Sequence, residues 1–81
     1  MKYTSTPRFE HSFTRMPKHV QMAFREKIKF LLYDIRHPSL RAKKYDEERG
    51  IWQARVTKNI RFYFLIERGW YLILDIEKHK D

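Results

Sequence analysis

Between Thr6 and Ile35 the apolar residues recur at helical spacing. Thr6-Pro7 reads as an N-cap followed by proline at the first helical position, where a missing N–H costs nothing. Phe9, Phe13 and Met16 follow at i, i+4 and i+7, which predicts a short amphipathic helix over about residues 7–15. Met16-Pro17 interrupts it, because the residue before a proline avoids the helical region. A second helix starts at Pro17, with an apolar stripe of Val20, Phe24, Ile28, Leu31 and Ile35 and with Ala23 and Leu32 beside it. Lys18, Arg25, Lys29 and Arg36 fall largely away from that stripe, and His37-Pro38-Ser39 ends the helix. The two helices form a hairpin.

From Leu40 the period changes to two. Arg41–Tyr45 reads as a short strand, 46–50 as an acidic turn, Ile51–Val56 as a strand and Thr57-Lys58-Asn59 as a hairpin turn. Ile60–Glu67 and Trp70–Glu77 follow as strands around an Arg68-Gly69 turn, and Lys2–Ser5 adds an edge strand. Alternation assigns Trp52, Ala54, Val56, Ile60, Phe62, Phe64, Ile66, Leu72, Leu74 and Ile76 to an apolar face that packs on the helices. The opposite face carries Ile51, Gln53, Arg55, Arg61, Tyr63, Leu65, Tyr71, Ile73, Asp75, Glu77 and His79. A one-residue slip would bury the arginines, so the phase follows. The expected fold class is α+β: two helices on one face of a small, mainly antiparallel sheet with a polar, cationic second face.

Length and composition narrow the function classes. At 81 residues the chain is one domain, and 42% hydrophobic and 16% aromatic content support folding. The absence of cysteine removes disulfides, thiol catalysis and cysteine-based zinc sites, and fits a reducing cytoplasm. The N-terminus has no signal-like apolar core, and the apolar runs Phe30–Tyr33 and Phe62–Ile66 are too short to span a bilayer, so no membrane role is expected. The net charge of +8 is uneven: residues 1–44 hold 11 Lys and Arg against 3 Asp and Glu, while residues 45–81 hold 7 of each. That asymmetry points to a polyanionic partner, nucleic acid or an acidic protein.

Arg55 and Arg61 flank the predicted hairpin turn. They can grip a phosphate with their planar guanidinium groups, or each can pair with a carboxylate such as Asp75 or Glu77. Arg41, Lys43 and Lys44 precede the hairpin and can follow an RNA backbone, supply a proton, or guard an edge strand as lysines commonly do. His79 faces the cationic side and is the side-chain type suited to general acid or base work. Tyr63 and Tyr71 can stack on bases or pack. His11, His19 and His37 lack metal-ligand spacing and read as surface or cap residues, so neither metal nor cofactor is expected. The chain has no glycine-rich phosphate loop, no paired-carboxylate signature and no serine–histidine–acid arrangement.

The order and spacing of these parts resemble the RelE/ParE superfamily of toxins from bacterial type II toxin–antitoxin systems. The resemblance spans nearly the whole chain: the helical hairpin from Pro7 to Arg36, then His37-Pro38-Ser39-Leu40-Arg41-Ala42-Lys43-Lys44, then Gly50-Ile51-Trp52-Gln53-Ala54-Arg55-Val56 with Ile60-Arg61-Phe62, and Ile76-Glu77-Lys78-His79-Lys80-Asp81. The step from Arg55 to Arg61 and the late histidine look like the YoeB, YafQ and RelE branch of ribosome-dependent mRNA interferases. The resemblance implies a metal-free endoribonuclease that cuts mRNA on the ribosome by 2′-OH attack on the adjacent phosphate. It also implies a cognate acidic antitoxin as partner. Carried over residue by residue, Arg61 stabilises the transition state, His79 acts as acid or base, and Lys43 or Lys44 is its proton-transfer partner. Arg55 binds the neighbouring phosphate. Arg41, Tyr63 and Lys80 are further candidates for holding RNA or phosphate, although Lys80 departs from the YoeB-like pattern, which has a tyrosine there. Two alternatives remain: a ParE-like inhibitor of DNA gyrase, or an inactive relative that only binds its antitoxin.

Overall fold

The computed structural model describes residues 1–79. Strand β1 (Lys2–Ser5) leads into helix α1 (Pro7–Thr14) and helix α2 (Lys18–Tyr33). A 3-10 turn (Pro38–Leu40) then leads to β2 (Lys43–Asp46), β3 (Ile51–Arg55), β4 (Ile60–Glu67) and β5 (Trp70–Lys78). The five strands form one sheet in the order β1-β5-β4-β3-β2, with β1 parallel to β5 and every other pair antiparallel. The α+β architecture read from the sequence is therefore the one observed.

The N-terminal signals act as read. Thr6 caps α1 by accepting from the Phe9 N–H at 3.0 Å, with Pro7 in the first turn. Helix α2 ends earlier than its apolar stripe, at Tyr33. Asp34 is extended there and its carboxylate accepts the Arg36 N–H at 2.8 Å, a local bond that competes with helix continuation. Ile35 leaves the helix yet still packs on the core. His37 is a cap residue: its Nδ1 accepts from the Ser39 N–H at 3.2 Å while its ring stacks on Phe30 at 4.0 Å. At the β4–β5 turn, Arg68 and Gly69 both have positive φ (46° and 82°), the pattern of a tight hairpin whose twist matches its strands.

The core joins both helices to the sheet. Phe9 meets Phe24 tilted at 5.0 Å and Phe24 meets Phe62 edge-on at 5.2 Å between centroids, and Leu31, Leu40, Phe62, Phe64 and Ile73 are fully enclosed. Each such side chain contributes about 1.5–3 kcal/mol by leaving water, with edge-on aromatic contacts adding to that.

Strand β5 departs from the predicted phase. Tyr63 pairs with Asp75 but Phe64 pairs with Ile73, so Leu74 is an extra residue in a β-bulge. Below the bulge the faces swap. Tyr71 and Ile73, expected on the second face, are buried in the core, while Leu72 and Leu74, expected in the core, are only half-buried. Three polar contacts hold the bulge: Asp75 Oδ1 accepts the Ile76 N–H at 2.9 Å, the Thr6 hydroxyl donates to the Leu74 carbonyl at 2.8 Å, and the Thr6 N–H donates to the Ile73 carbonyl at 3.1 Å. Ile66, also expected in the core, is 42% exposed near the β4–β5 turn. Among the described residues no helix is long and apolar enough to cross a membrane.

Candidate functional site

The hairpin of β3 and β4 builds the site. Its register places Arg55 directly opposite Arg61, one step beyond the Ala54–Phe62 pair that faces the helices. Arg61 is oriented by the turn it follows: its Nη1 donates toward the carbonyls of Thr57 (2.9 Å), Lys58 (3.1 Å) and Ile60 (3.2 Å). A guanidinium has five N–H donors, so three remain for a ligand. The backbone N–H of His79 donates to the Asn59 carbonyl at 2.7 Å, which ties the end of β5 to the same turn.

These residues border one cavity of about 300 Å³, lined by Arg41, Lys43, Gln53, Arg55, Arg61 and His79. Among the described residues no carboxylate lines it, and none lies within ion-pair distance of Arg55 or Arg61. Asp75 is engaged by Arg8 at 3.8 Å instead. The Nε of Arg55 is buried without an acceptor. Burial, and then the charges of Arg41 and Arg61, push the Arg55 guanidinium below its ordinary range. Lys27, on α2, is likewise lowered, by burial first and by Arg55 second, and its Nζ donates to the Ser39 carbonyl at 3.0 Å. Arg41, Lys43, Arg55 and Arg61 are therefore held together with no carboxylate from the described residues lining their cavity. An anion brought into such a cluster relieves repulsion as well as gaining hydrogen bonds.

The sequence-predicted residues separate under this geometry. Arg41 reaches the cavity, but not from a strand: β2 begins at Lys43, and Arg41 ends the 3-10 turn in the left-handed region (φ 47°, ψ 43°). It therefore does not share a strand face with Lys43, although both line the cavity. Lys44 is not brought to the cluster. It pairs with Trp52 on the opposite side of β2, where its Nζ lies 5.3 Å from the indole ring and 3.9 Å from Glu47. Tyr63 is buried on the cationic face, and with Tyr45, Glu77, Lys78 and His79 it lines an adjoining cavity of about 480 Å³. Its phenol is pushed up to about 12 by burial first, then by Glu77 and Tyr45. Tyr71 belongs to the core. Lys80 lies outside the described residues.

Three residues of this region escaped the sequence reading. Gln53, 6% exposed, lines the cation cavity. Tyr45 is the extra residue of a second bulge, between the Lys44–Trp52 and Asp46–Ile51 pairs. Lys27 had a visible signal, since it stands three residues after Phe24 and four before Leu31 and so falls on the edge of the buried stripe.

The chain matches no protein-family model and no curated protein by sequence. In structure it is similar to a YoeB/ParE toxin from Agrobacterium tumefaciens, with a TM-score of 0.82 at 14% identity, covering 99% of this chain and 100% of that one. It is also similar to an archaeal RelE–RelB complex from Pyrococcus horikoshii (TM-score 0.79, 15% identity, 95% and 92% covered). A heterotetrameric YoeB–YefM toxin–antitoxin complex from Staphylococcus aureus is comparable (0.78, 13%, 96% and 95%). The protein has the fold of the RelE/ParE-type toxins.

Proposed function

We propose that this protein is the toxin of a type II toxin–antitoxin pair, and that it is a metal-independent, ribosome-dependent mRNA endonuclease. The observation that carries the reading is the cavity that gathers Arg41, Lys43, Arg55, Arg61 and His79. Arg41 and Arg55 grip the phosphates. Arg61, oriented by the turn carbonyls, faces the charge that develops on the equatorial oxygens of the attacked phosphate, the largest single source of rate enhancement in such sites. The ribose 2′-oxygen bonds to phosphorus and gives up its proton while the bond to the 5′-oxygen breaks, leaving a 2′,3′-cyclic phosphate and a 5′-OH. An ammonium has no acceptor, so Lys43 supplies the proton to the leaving 5′-oxygen and a ring nitrogen of His79 takes the one from the 2′-OH. Lys44, turned toward Trp52, has no part in this step.

The net charge of +8 and the toxin–antitoxin assembly of the similar Staphylococcus aureus protein support an acidic antitoxin as partner. Cleavage of mRNA on programmed ribosomes and supercoiling by DNA gyrase, assayed side by side for wild type and Arg61→Ala, test the reading. Ribosome-dependent cuts that vanish with Arg61→Ala are expected. Gyrase inhibition without cuts would make it a ParE-like poison, and inactivity in both assays would make it an antitoxin binder without chemistry.

A further inference from the structure

The second cavity holds chemistry that phosphate gripping does not use. It is lined by Tyr45, Tyr63, Glu77, Lys78 and His79, and it adjoins the cation cavity at His79. The bulge in β2 brings Tyr45 to the cationic face, where its ring meets the edge of Tyr63 at 4.9 Å and 60°. Tyr45 remains 61% exposed, a large aromatic surface with no covering element. Glu77 lies opposite Arg61 in the β4–β5 register and lines the same cavity as Tyr63, whose phenol its charge helps to push up. The raised range of that phenol keeps it a donor at every physiological pH.

We propose that this cavity is a nucleobase subsite with a preference for guanine, filled by the base of a nucleotide whose phosphate lies on the arginines. The inference rests on the endonuclease reading above for the phosphate. Tyr45 provides a flat surface on which a base of any identity stacks. Glu77 provides selection, because an ionised carboxylate only accepts hydrogen bonds. Guanine offers N1–H and N2–H side by side, a pair that one carboxylate can accept together. Adenine and cytosine offer a single amino group on that edge, and uracil offers one N–H between two carbonyls that repel the carboxylate. Two tyrosines and a carboxylate also suit an arginine side chain from a protein, but the adjoining cations repel such an occupant, whereas a nucleotide brings its own negative charge.

The test titrates the ¹⁵N-labelled full chain with 2′-O-methyl dinucleotides GpG, ApA, CpC and UpU, whose blocked 2′-oxygen cannot attack, and separately with inorganic phosphate. GpG should bind at least tenfold more tightly than UpU, with shifts at Tyr45, Tyr63 and Glu77. Glu77→Gln should level the four affinities, and Tyr45→Ala should weaken all four about tenfold. Inorganic phosphate should keep its affinity in both variants and lose it in Arg61→Ala. Four equal affinities in the wild type, or no loss in Tyr45→Ala while Arg61→Ala still abolishes binding, would overturn the base subsite and leave the phosphate site standing. If neither the dinucleotides nor phosphate bind, the cation cavity fails as a phosphate site and the base subsite fails with it.

Discussion

Arg55 and Arg61 face each other across the β3–β4 pair, and neither forms an ion pair with a carboxylate among the described residues. Like charges directly opposite each other destabilise a sheet, and here the Nε of one of them is also buried without an acceptor. Such strain is characteristic of binding and catalytic sites, where it persists because function requires it.

Arg55→Gln should therefore raise the melting temperature by several degrees in the absence of ligand while lowering phosphate affinity at least tenfold. Thermal melts with and without phosphate measure both effects. A lower melting temperature in the variant would mean that Arg55 is held by favourable contacts rather than against repulsion.

Arg41 carries backbone strain of a different kind. Its φ of 47° places a bulky residue in the left-handed region, at a cost of about 1–2 kcal/mol that glycine escapes. Arg41→Gly should gain about 1 kcal/mol by urea denaturation and Arg41→Ala should gain nothing. Both should weaken phosphate binding equally, since both remove the guanidinium. Equal stabilities for the two variants would contradict the backbone account.

Thr6 bonds two structures at once, accepting from Phe9 of α1 and donating to Leu74 in the bulge. Thr6→Ala should cost about 2–3 kcal/mol, the sum of a helix cap and a buried hydrogen bond, and Thr6→Ser should recover most of it. A loss of under about 1 kcal/mol would show that the bulge holds without this hydroxyl.

Tyr63 makes stability fall in alkali. Its folded-state value, about 12, lies above the 10.0 of an unfolded chain. Below pH 10 the contribution is fully present, and it is lost as pH rises toward 12, by up to about 2–3 kcal/mol. Tyr71 is raised too, by burial and then by Asp34, so Tyr63→Phe should remove part of the fall and not all of it. Parallel stability curves for wild type and Tyr63→Phe between pH 10 and 12 would contradict this assignment.

The helices were legible because Phe9, Val20, Phe24, Ile28 and Leu31 repeat at helical spacing and Thr6-Pro7 marks a start. The phase of β3 and β4 was legible because a slip would have buried Arg55 and Arg61. Strand β5 was not, because Leu72, Ile73 and Leu74 are all apolar and tolerate either face. Contacts made by the distant Thr6 and the local Asp75 decide it. The same limit applies to Lys43 and Lys44: adjacent lysines point to opposite faces, and only the pairing with Gln53 and Trp52 tells which one joins the arginines.

The central claim is that Arg61 and His79 perform chemistry on RNA at one cavity. Single-turnover cleavage of mRNA on programmed 70S ribosomes, with the product ends identified, tests it most directly. The wild type should leave 2′,3′-cyclic phosphate and 5′-OH ends, Arg61→Ala should cut at least 100-fold more slowly, and His79→Ala should lose a comparable factor, on the order of 100-fold. Cleavage that is unchanged in Arg61→Ala, or absent in the wild type, would contradict it.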